Sequence, residues 1–160
     1  MKIVAAAFAA LLVASCASYD GRGLRPGESS EADVRGLMGS PALELATDDG
    51  GKRLAYPRGP LGTQTFMADI GRDGRFEGVR QVLNDDTFNG IRPGQTRNDV
   101  LVRIGPPGET MQFPLSGNTA WDYRYKDTWG YLAVLSVTFD GNGIVLSRFT
   151  RRLQERNNNR

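Results

Sequence analysis

The sequence contains no histidine and one cysteine, Cys16, among its 160 residues. Because a second cysteine is missing, no disulfide can form within the chain, and a packed core must hold the fold together. Histidine is the commonest general base and the commonest zinc ligand, and its absence also excludes a Ser-His triad. We therefore expect a protein that is not an enzyme and that uses no metal or cofactor.

The chain also lacks a strong charge of either sign, with 20 basic and 18 acidic residues. A near-neutral protein is not expected to have nucleic acid as a partner. Residues 91–160, however, carry ten basic and six acidic groups. An asymmetry this small is more often incidental than functional, but its sign favours an anionic lipid surface or an acidic partner near the C-terminus.

Long apolar runs are missing except at the N-terminus, where residues 3–13 follow Lys2. This run is too short for a membrane-spanning helix. It ends in Val13-Ala14-Ser15-Cys16, and small residues before a cysteine are typical of a lipoprotein signal. We expect a signal peptide over residues 1–15, cleavage before Cys16 and acylation of its thiol by fatty acids such as palmitate; a plain signal peptide with an incidental cysteine is the alternative. Ala17, in place of an aspartate, favours the outer membrane, with the protein facing the periplasm.

The chain contains twenty glycines and eight prolines, which indicate many turns. Its sequence also repeats itself with a period of roughly 66–69 residues. The matched pairs, in chain order, are Leu24-Arg25-Pro26-Gly27 with Ile91-Arg92-Pro93-Gly94, Gly39-Ser40-Pro41 with Gly105-Pro106-Pro107, Leu54-Ala55-Tyr56 with Trp121-Asp122-Tyr123, and Phe66-Met67-Ala68-Asp69-Ile70 with Leu135-Ser136-Val137-Thr138-Phe139. Ordered matches along two whole units predict two tandem copies of one fold.

Each copy contains the same signals. Ser30-x-x-Asp33 and Thr96-x-x-Asp99 are typical of a capping box, with Asp in place of Glu. Gly39 and Gly105 are predicted to end the two helices in a left-handed cap. Alternating residues then predict strands joined by hairpins. The expected class is α+β, with each unit a short helix or helical pair packed on a three-stranded antiparallel meander.

The boundaries follow from these signals. We expect residues 16–23 to form a tether, 24–83 the first repeat, 84–153 the second, and 154–160 a disordered polar tail. Residues 84–90 are either a linker or a small leading helix. The paired carboxylates Asp48-Asp49 and Asp85-Asp86 lie among turn residues, and we interpret both pairs as solvated turns.

Four features of the sequence together resemble the BamE (SmpA/OmlA) lipoprotein family. They are the lipoprotein signal, the turn Ile91-Arg92-Pro93-Gly94-Gln95-Thr96, the helix end Ile104-Gly105-Pro106-Pro107 and the strand Trp121-Asp122-Tyr123. The first unit matches more weakly, with Leu54 at the position of the tryptophan. The resemblance implies a non-catalytic outer-membrane lipoprotein that binds partner subunits and phospholipid in the machinery that inserts β-barrel proteins. A tandem copy of the fold is similar to the two-repeat architecture of the β-lactamase inhibitory proteins.

Three functions stay open at this point. The first is partner binding in outer-membrane protein assembly and envelope integrity, with anchoring to membrane lipid through acylated Cys16. The second is a tandem-repeat inhibitor that blocks a periplasmic or extracellular protein such as a hydrolase. The third is a purely structural envelope lipoprotein.

The aromatic side chains of the second unit are the best candidates for a binding surface. Trp121 and Tyr123 are expected in the core, because their face of the strand should cover the helix. Trp129 lies beside Gly130 in a predicted loop, and aromatic residues on exposed loops are frequent interface anchors. We predict that Tyr125, Trp129 and Tyr131 form a protein- or lipid-facing patch.

Overall fold

The computed structural model describes residues 20–58 and 62–153. Cys16, the predicted signal peptide and tail, and most of the predicted tether lie outside these residues. The first unit begins with helix α1 (Glu31–Met38) and continues into four strands: β1 (Leu43–Ala46), β2 (Lys52–Pro57), β3 (Thr65–Ile70) and β4 (Phe76–Gln81). They form one antiparallel sheet, sheet 1, in the order β1-β2-β3-β4.

The second unit repeats this order after a one-turn helix, α2 (Asp85–Phe88). Helix α3 (Arg97–Ile104) leads into β5 (Glu109–Phe113), β6 (Asn118–Lys126), β7 (Leu132–Phe139) and β8 (Val145–Arg152). These strands form sheet 2, in the order β5-β6-β7-β8. Within the described ranges, no helix is long and apolar enough to cross a membrane.

The two helices have the same caps, as the sequence predicts. Ser30 accepts a hydrogen bond from the backbone N–H of Asp33, and Thr96 does so from Asp99, with each aspartate returning the contact to complete a capping box. Gly39 and Gly105 end the helices with φ of 87° and 78°. Their ψ values of −166° and −168° differ from the predicted left-handed cap and lie in a region open essentially to glycine alone.

The two units also have irregularities at matching positions. The register shifts between Asp69 and Ile70 in the β3–β4 pair, and between Thr138 and Phe139 in the β7–β8 pair. The residue before each capped helix bridges the last hairpin of its own unit, Ser30 to Arg75 and Thr96 to Ile144. The α+β class and the tandem arrangement are therefore confirmed.

Helix α3 lies between the two sheets. Its Val100 and Ile104 are buried with the inner residues of sheet 2, and the same cluster includes Ala55 and Met67 of sheet 1. A Cβ added at Gly105 would lie 3.4 Å from the Met67 sulfur, which shows how closely the helix end approaches sheet 1. Helix α1 packs on the opposite face of sheet 1 in a separate cluster. The layers run α1, sheet 1, α3, sheet 2.

This order explains a difference between the two helices. Leu101 and Val102 of α3 are partly buried against the cluster shared by both sheets. Their equivalents in α1 are Arg35 and Gly36, since α1 has a sheet on one side only. A helix held between two sheets needs two apolar faces, and a helix at the end of the stack needs one.

Each sheet has four strands where three were predicted. The extra strands, β1 and β5, are edge strands. All five residues of β5 are exposed, and its sequence has only two apolar residues, Met111 and Phe113, which is too short an alternation to predict a strand. The segment 84–90, which was predicted as either a linker or a helix, contains the helix α2.

Candidate functional site

The predicted aromatic patch lies at one end of sheet 2, around the turn from β6 to β7. We call residues 127–131 the Trp129 loop. Its ends are closed by a backbone hydrogen bond of 2.9 Å from Asp127 N–H to the Tyr131 carbonyl. Gly130 has a φ of 82°, a conformation that other residues rarely adopt, which allows the chain to reverse here.

The carboxylate of Asp127 organises the loop from inside. One oxygen, Oδ1, accepts from the backbone N–H groups of Trp129 and Tyr131, each at 2.9 Å. The other, Oδ2, accepts from Nε of Arg152 at 2.6 Å. Burial alone would raise the pKa of Asp127, but the hydrogen bonds from Arg152 and the two backbone groups outweigh it and lower the pKa. The carboxylate therefore stays charged at neutral pH.

A second carboxylate, that of Asp85, ties the loop to α2. Its Oδ2 accepts from the backbone N–H of Thr128 at 3.1 Å and from the Thr128 hydroxyl at 2.8 Å. Its Oδ1 accepts from the Tyr125 hydroxyl at 2.9 Å. Burial acts to raise the pKa of Asp85, and these donors lower it by more. Asp85 was predicted to be a solvated turn residue, and this prediction is wrong because its carboxylate anchors the loop.

The three aromatic residues predicted to form the patch are not equivalent. Tyr125 is 2% exposed and packs edge-on against Phe88, with ring centroids 4.7 Å apart. Burial, with the hydrogen bond to Asp85, raises the pKa of its hydroxyl to about 12. Trp129 and Tyr131 are 78% and 59% exposed. The exposed patch therefore consists of Trp129 and Tyr131, with Tyr125 beneath it as part of the core.

Arg152 completes the surface. Its guanidinium carbon lies 4.7 Å from the centroid of the Tyr131 ring, within the range of a cation–π contact. A cavity of about 310 Å³ lies beside the loop. It is lined by Asp85, Tyr125, Asp127, Trp129, Ala133, Thr150, Arg151 and Arg152. The exposed rings thus lie on a loop that two partly buried carboxylates and one arginine hold in place.

The sequence identified Trp129 and Tyr131 but missed the residues that hold them. The three groups missed are Asp85, Asp127 and Arg152. Asp127 precedes a Thr-Trp-Gly turn, and an aspartate at the start of a turn is a known signal for a side-chain cap. Asp85 and Arg152 lie 43 and 24 residues from Thr128, and no local pattern links them.

The expected core positions of the other aromatic residues agree with the structure. Tyr123 is buried, and its hydroxyl donates to the Gly105 carbonyl at 3.1 Å. Trp121 is partly buried and packs against Phe139 with ring centroids 4.6 Å apart. Among the described residues, no cluster of three or more His, Cys, Asp or Glu side chains has the arrangement of a metal site.

Comparison with known families places the loop in a recognised domain. Residues 81–148 match the model of the outer membrane protein assembly factor BamE domain. The resemblance to BamE is confirmed for the second unit. The match begins at the end of β4, includes α2, α3 and the whole Trp129 loop, and ends within β8. It covers less than half of the 160 residues.

Two solved structures are similar at a lower level. One is a candidate β-lactamase inhibitor protein from Streptococcus mutans, with 13% identity, a TM-score of 0.34, and coverage of 79% of this chain and 84% of that one. The other is a DUF4309-family protein from Bacillus subtilis, with 17% identity, a TM-score of 0.31, and coverage of 83% and 84%. TM-scores this low do not establish a common fold. No curated protein matches the sequence.

Proposed function

We propose that this chain is a non-enzymatic outer-membrane lipoprotein that binds a partner protein of the envelope through the Trp129 loop. The observation that carries the proposal is an exposed tryptophan on a loop fixed by two carboxylates. Large aromatic side chains held in place before binding lose little conformational entropy when a partner covers them. Such residues supply much of the energy in many interfaces.

The family match supports the class of partner. The BamE domain is described as an outer membrane protein assembly factor, and the Trp129 loop lies within the matched residues. A role in outer-membrane protein assembly is therefore the preferred function, and a component of the barrel-assembly machinery is the preferred partner.

Purification from solubilised membranes tests the partner proposal. The wild-type chain, Trp129→Ala and the control Leu115→Ala are purified in parallel, because Leu115 is also an exposed apolar residue but lies at the other end of sheet 2. We expect barrel-assembly subunits to co-purify with the wild type and the control and to be lost with Trp129→Ala. If a single hydrolase co-purifies instead, the chain is an inhibitor; if Trp129→Ala retains every partner, the loop is not the binding surface.

The anchor is proposed to be Cys16, which would be the first residue of the mature protein after cleavage of the predicted signal peptide. Two acyl chains hold a protein on a membrane far more firmly than one. Metabolic labelling with a palmitate analogue should mark the wild type and not Cys16→Ser, and the variant should leave the membrane fraction. Labelling of Cys16→Ser at the wild-type level would contradict this anchor.

A further inference from the structure

Strand β5 leaves one edge of sheet 2 open. In an antiparallel sheet, successive residues of an edge strand direct their backbone N–H and C=O groups alternately toward the neighbouring strand and away from it. The Phe113 carbonyl faces β6, because it accepts from the N–H of Gly117, in the turn between the two strands, at 2.9 Å. The alternation therefore directs the backbone groups of Thr110 and Gln112 away from β6. In the part of the chain that the structure describes, β6 is the one strand beside β5.

The other three edges of the described sheets are covered or charged, which are two common ways to prevent a further strand from adding to a sheet. At the edges β4 and β8, Phe76 and Val145 exchange backbone hydrogen bonds with the turn before the helix of the same unit. Strand β8 also contains three arginines. Strand β1 has only four residues, and its Glu44 pairs with Arg35 at 2.8 Å. Strand β5 lacks such protection over residues 110–113.

The distribution of charge favours a second copy of this chain as the occupant of the open edge. Charged residues make up 24% of the chain, but residues 110–121 contain none. An identical copy brings identical charges, and like charges that lie opposite each other destabilise a strand pair. Two β8 strands would bring six arginines together, whereas two β5 strands can pair without such repulsion.

We infer that two copies of this protein associate through antiparallel pairing of their β5 strands, about a two-fold axis at Met111. Thr110 of each copy then lies opposite Gln112 of the other, and these two pairs exchange four backbone hydrogen bonds. The same surface is used by both copies, as a two-fold interface requires. The inference goes beyond the proposed function and is independent of it, since it concerns a different edge of sheet 2.

The sequence on either side of these residues limits the pairing to four hydrogen bonds. The next position whose amide would face the second copy is Pro114, which has no N–H. Opposite it would lie Gly108, whose N–H already donates to the Asp122 carbonyl at 3.0 Å. The backbone of β5 thus defines both the register and the length of the proposed pairing.

The exposed apolar side chains of β5 fit this register. Met111 and Phe113 are 50% and 42% exposed and lie on one face of the strand. Met111 would lie opposite Met111 of the second copy, and Phe113 opposite Glu109. The two Glu109 residues would be about 13 Å apart, which is four residues along the strand. The pairing therefore removes apolar surface from water without bringing the two carboxylates together.

The proposed pairing leaves the Trp129 loop accessible. Met111 pairs in register with Ala120, near the start of β6, and the loop follows the end of β6. Because the paired β5 strands run in opposite directions, the two Trp129 loops would lie at opposite ends of a joined sheet of eight strands. One pair of short strands is a small interface, so we expect it to form best where anchored copies are concentrated on a membrane.

Disulfide trapping of the full chain in intact cells tests the inference. The chain has one natural cysteine, Cys16, and the wild type measures any contribution from its thiol. After mild oxidation, Met111→Cys should give a reducible band of twice the monomer mass, because the two Cβ atoms would be about 5 Å apart. Leu115→Cys should give no such band. Leu115 is more exposed than Met111, but the two-fold axis places its two copies far apart.

A pair of variants tests the register. Glu109→Cys and Phe113→Cys should each remain monomeric when expressed alone, because neither position lies opposite itself. Co-expression of the two variants should give the dimer band, since position 109 of one copy lies opposite position 113 of the other. Dimer bands from both single variants at the level of the co-expressed pair would contradict the register.

Proline substitution tests the backbone hydrogen bonds. In the Met111→Cys chain, Gln112→Pro removes an N–H that faces away from β6, a position where an edge strand tolerates proline, and should abolish the dimer band. Gln112→Ala keeps the N–H and should retain the band. Equal bands from the two variants would exclude pairing through the β5 backbone.

Three further outcomes would overturn the inference. The first is a Met111→Cys chain that stays monomeric, and the second is a Leu115→Cys band as strong as that of Met111→Cys, which indicates random collision. The third is a Met111→Cys band that contains a different protein, which would mean that β5 accepts a partner strand and not a second copy. Co-purification of barrel-assembly subunits in a Trp129-dependent way would leave the proposed function intact in each case.

Discussion

Two carboxylates with lowered pKa values determine how the Trp129 loop is presented. Asp85 and Asp127 together accept six of the hydrogen bonds described above: four from residues of the loop, one from the Tyr125 hydroxyl and one from Arg152. A loop fixed in this way presents Trp129 without relying on the partner to order it. The ionised state of both groups is therefore needed to hold the proposed binding surface in place, although neither carboxylate need touch a partner.

The pKa of the buried Tyr125 hydroxyl depends on its hydrogen bond to Asp85. Its pKa is about 12, raised by burial and then by the Asp85 carboxylate. Because the folded-state pKa exceeds the ordinary value near 10, the associated stability is present below about pH 10 and is lost as the pH rises through 12.

We predict that Asp85→Ala lowers the Tyr125 pKa but leaves it above the ordinary tyrosine value, because burial remains. The ultraviolet absorbance of tyrosinate measures this titration, and Tyr125→Phe identifies the transition by removing it. An unchanged transition in Asp85→Ala would show that Asp85 does not control this hydroxyl.

Substitution of Trp129 should weaken partner binding without lowering the stability of the fold. Its side chain is 78% exposed, so Trp129→Ala is expected to change the free energy of unfolding by less than about 0.5 kcal/mol. Loss of a central interface tryptophan typically costs about 2 kcal/mol, or roughly 30-fold in partner Kd. Urea denaturation and a binding titration on the same preparation measure both quantities. Equal loss of stability and affinity would assign Trp129 a structural role.

At the scale of single elements, the caps of the helices make the stability of the fold depend on pH in the acid range. Hydrogen bonds from the backbone and side chain of Thr96 lower the pKa of Asp99. A lowered pKa means that the stabilisation is present above the unfolded-state pKa and is lost as the pH falls through the folded-state value. The α3 cap should therefore weaken below about pH 4.

We predict that Asp99→Asn is less stable than the wild type at pH 7 and that the difference disappears in strong acid, where the wild-type carboxyl is also neutral. Thr96→Ala should cost about 1 kcal/mol at neutral pH, since it removes the N-cap acceptor. Denaturation midpoints measured across the acid range test both variants. A constant difference between Asp99→Asn and the wild type at every pH would exclude the titration of Asp99 as its cause.

The elements also show what the sequence could reveal. The N-terminal capping boxes, the two helices that they begin and six of the eight strands could be predicted, because each depends on residues close together in the chain. The edge strand β5 could not, because its alternation extends over only two apolar residues, Met111 and Phe113, and both are exposed. The anchoring role of Asp85 depends on a contact with Thr128, 43 residues away, and sequence spacing carries no information about such a contact.

At the scale of the whole molecule, the two repeats share one core. The cluster around α3 contains Ala55 and Met67 from the first unit and Leu135 and Val137 from the second. Arg53 of sheet 1 strengthens the junction by donating to the Val102 carbonyl of α3 at 2.7 Å. A shared core of this kind predicts that the units unfold together.

We predict that Met67→Ala lowers the free energy of unfolding by about 2–4 kcal/mol, as expected for a truncated core methionine. The change should be visible in tryptophan fluorescence, although Trp121 and Trp129 both belong to the second unit. Urea denaturation should show one transition, shifted equally in fluorescence and circular dichroism. A fluorescence transition that Met67→Ala leaves in place would mean that the units unfold independently.

Binding through the Trp129 loop is tested most directly by photo-crosslinking in intact cells. A photoreactive amino acid replaces Tyr131 in one strain and Leu115 in another, since both positions are exposed on the second unit. We expect a discrete adduct with an envelope protein at position 131, absent at position 115 and lost when Trp129→Ala is added. Adducts of the same size and yield at both positions, or an adduct at 131 that survives Trp129→Ala, would contradict the proposed binding surface.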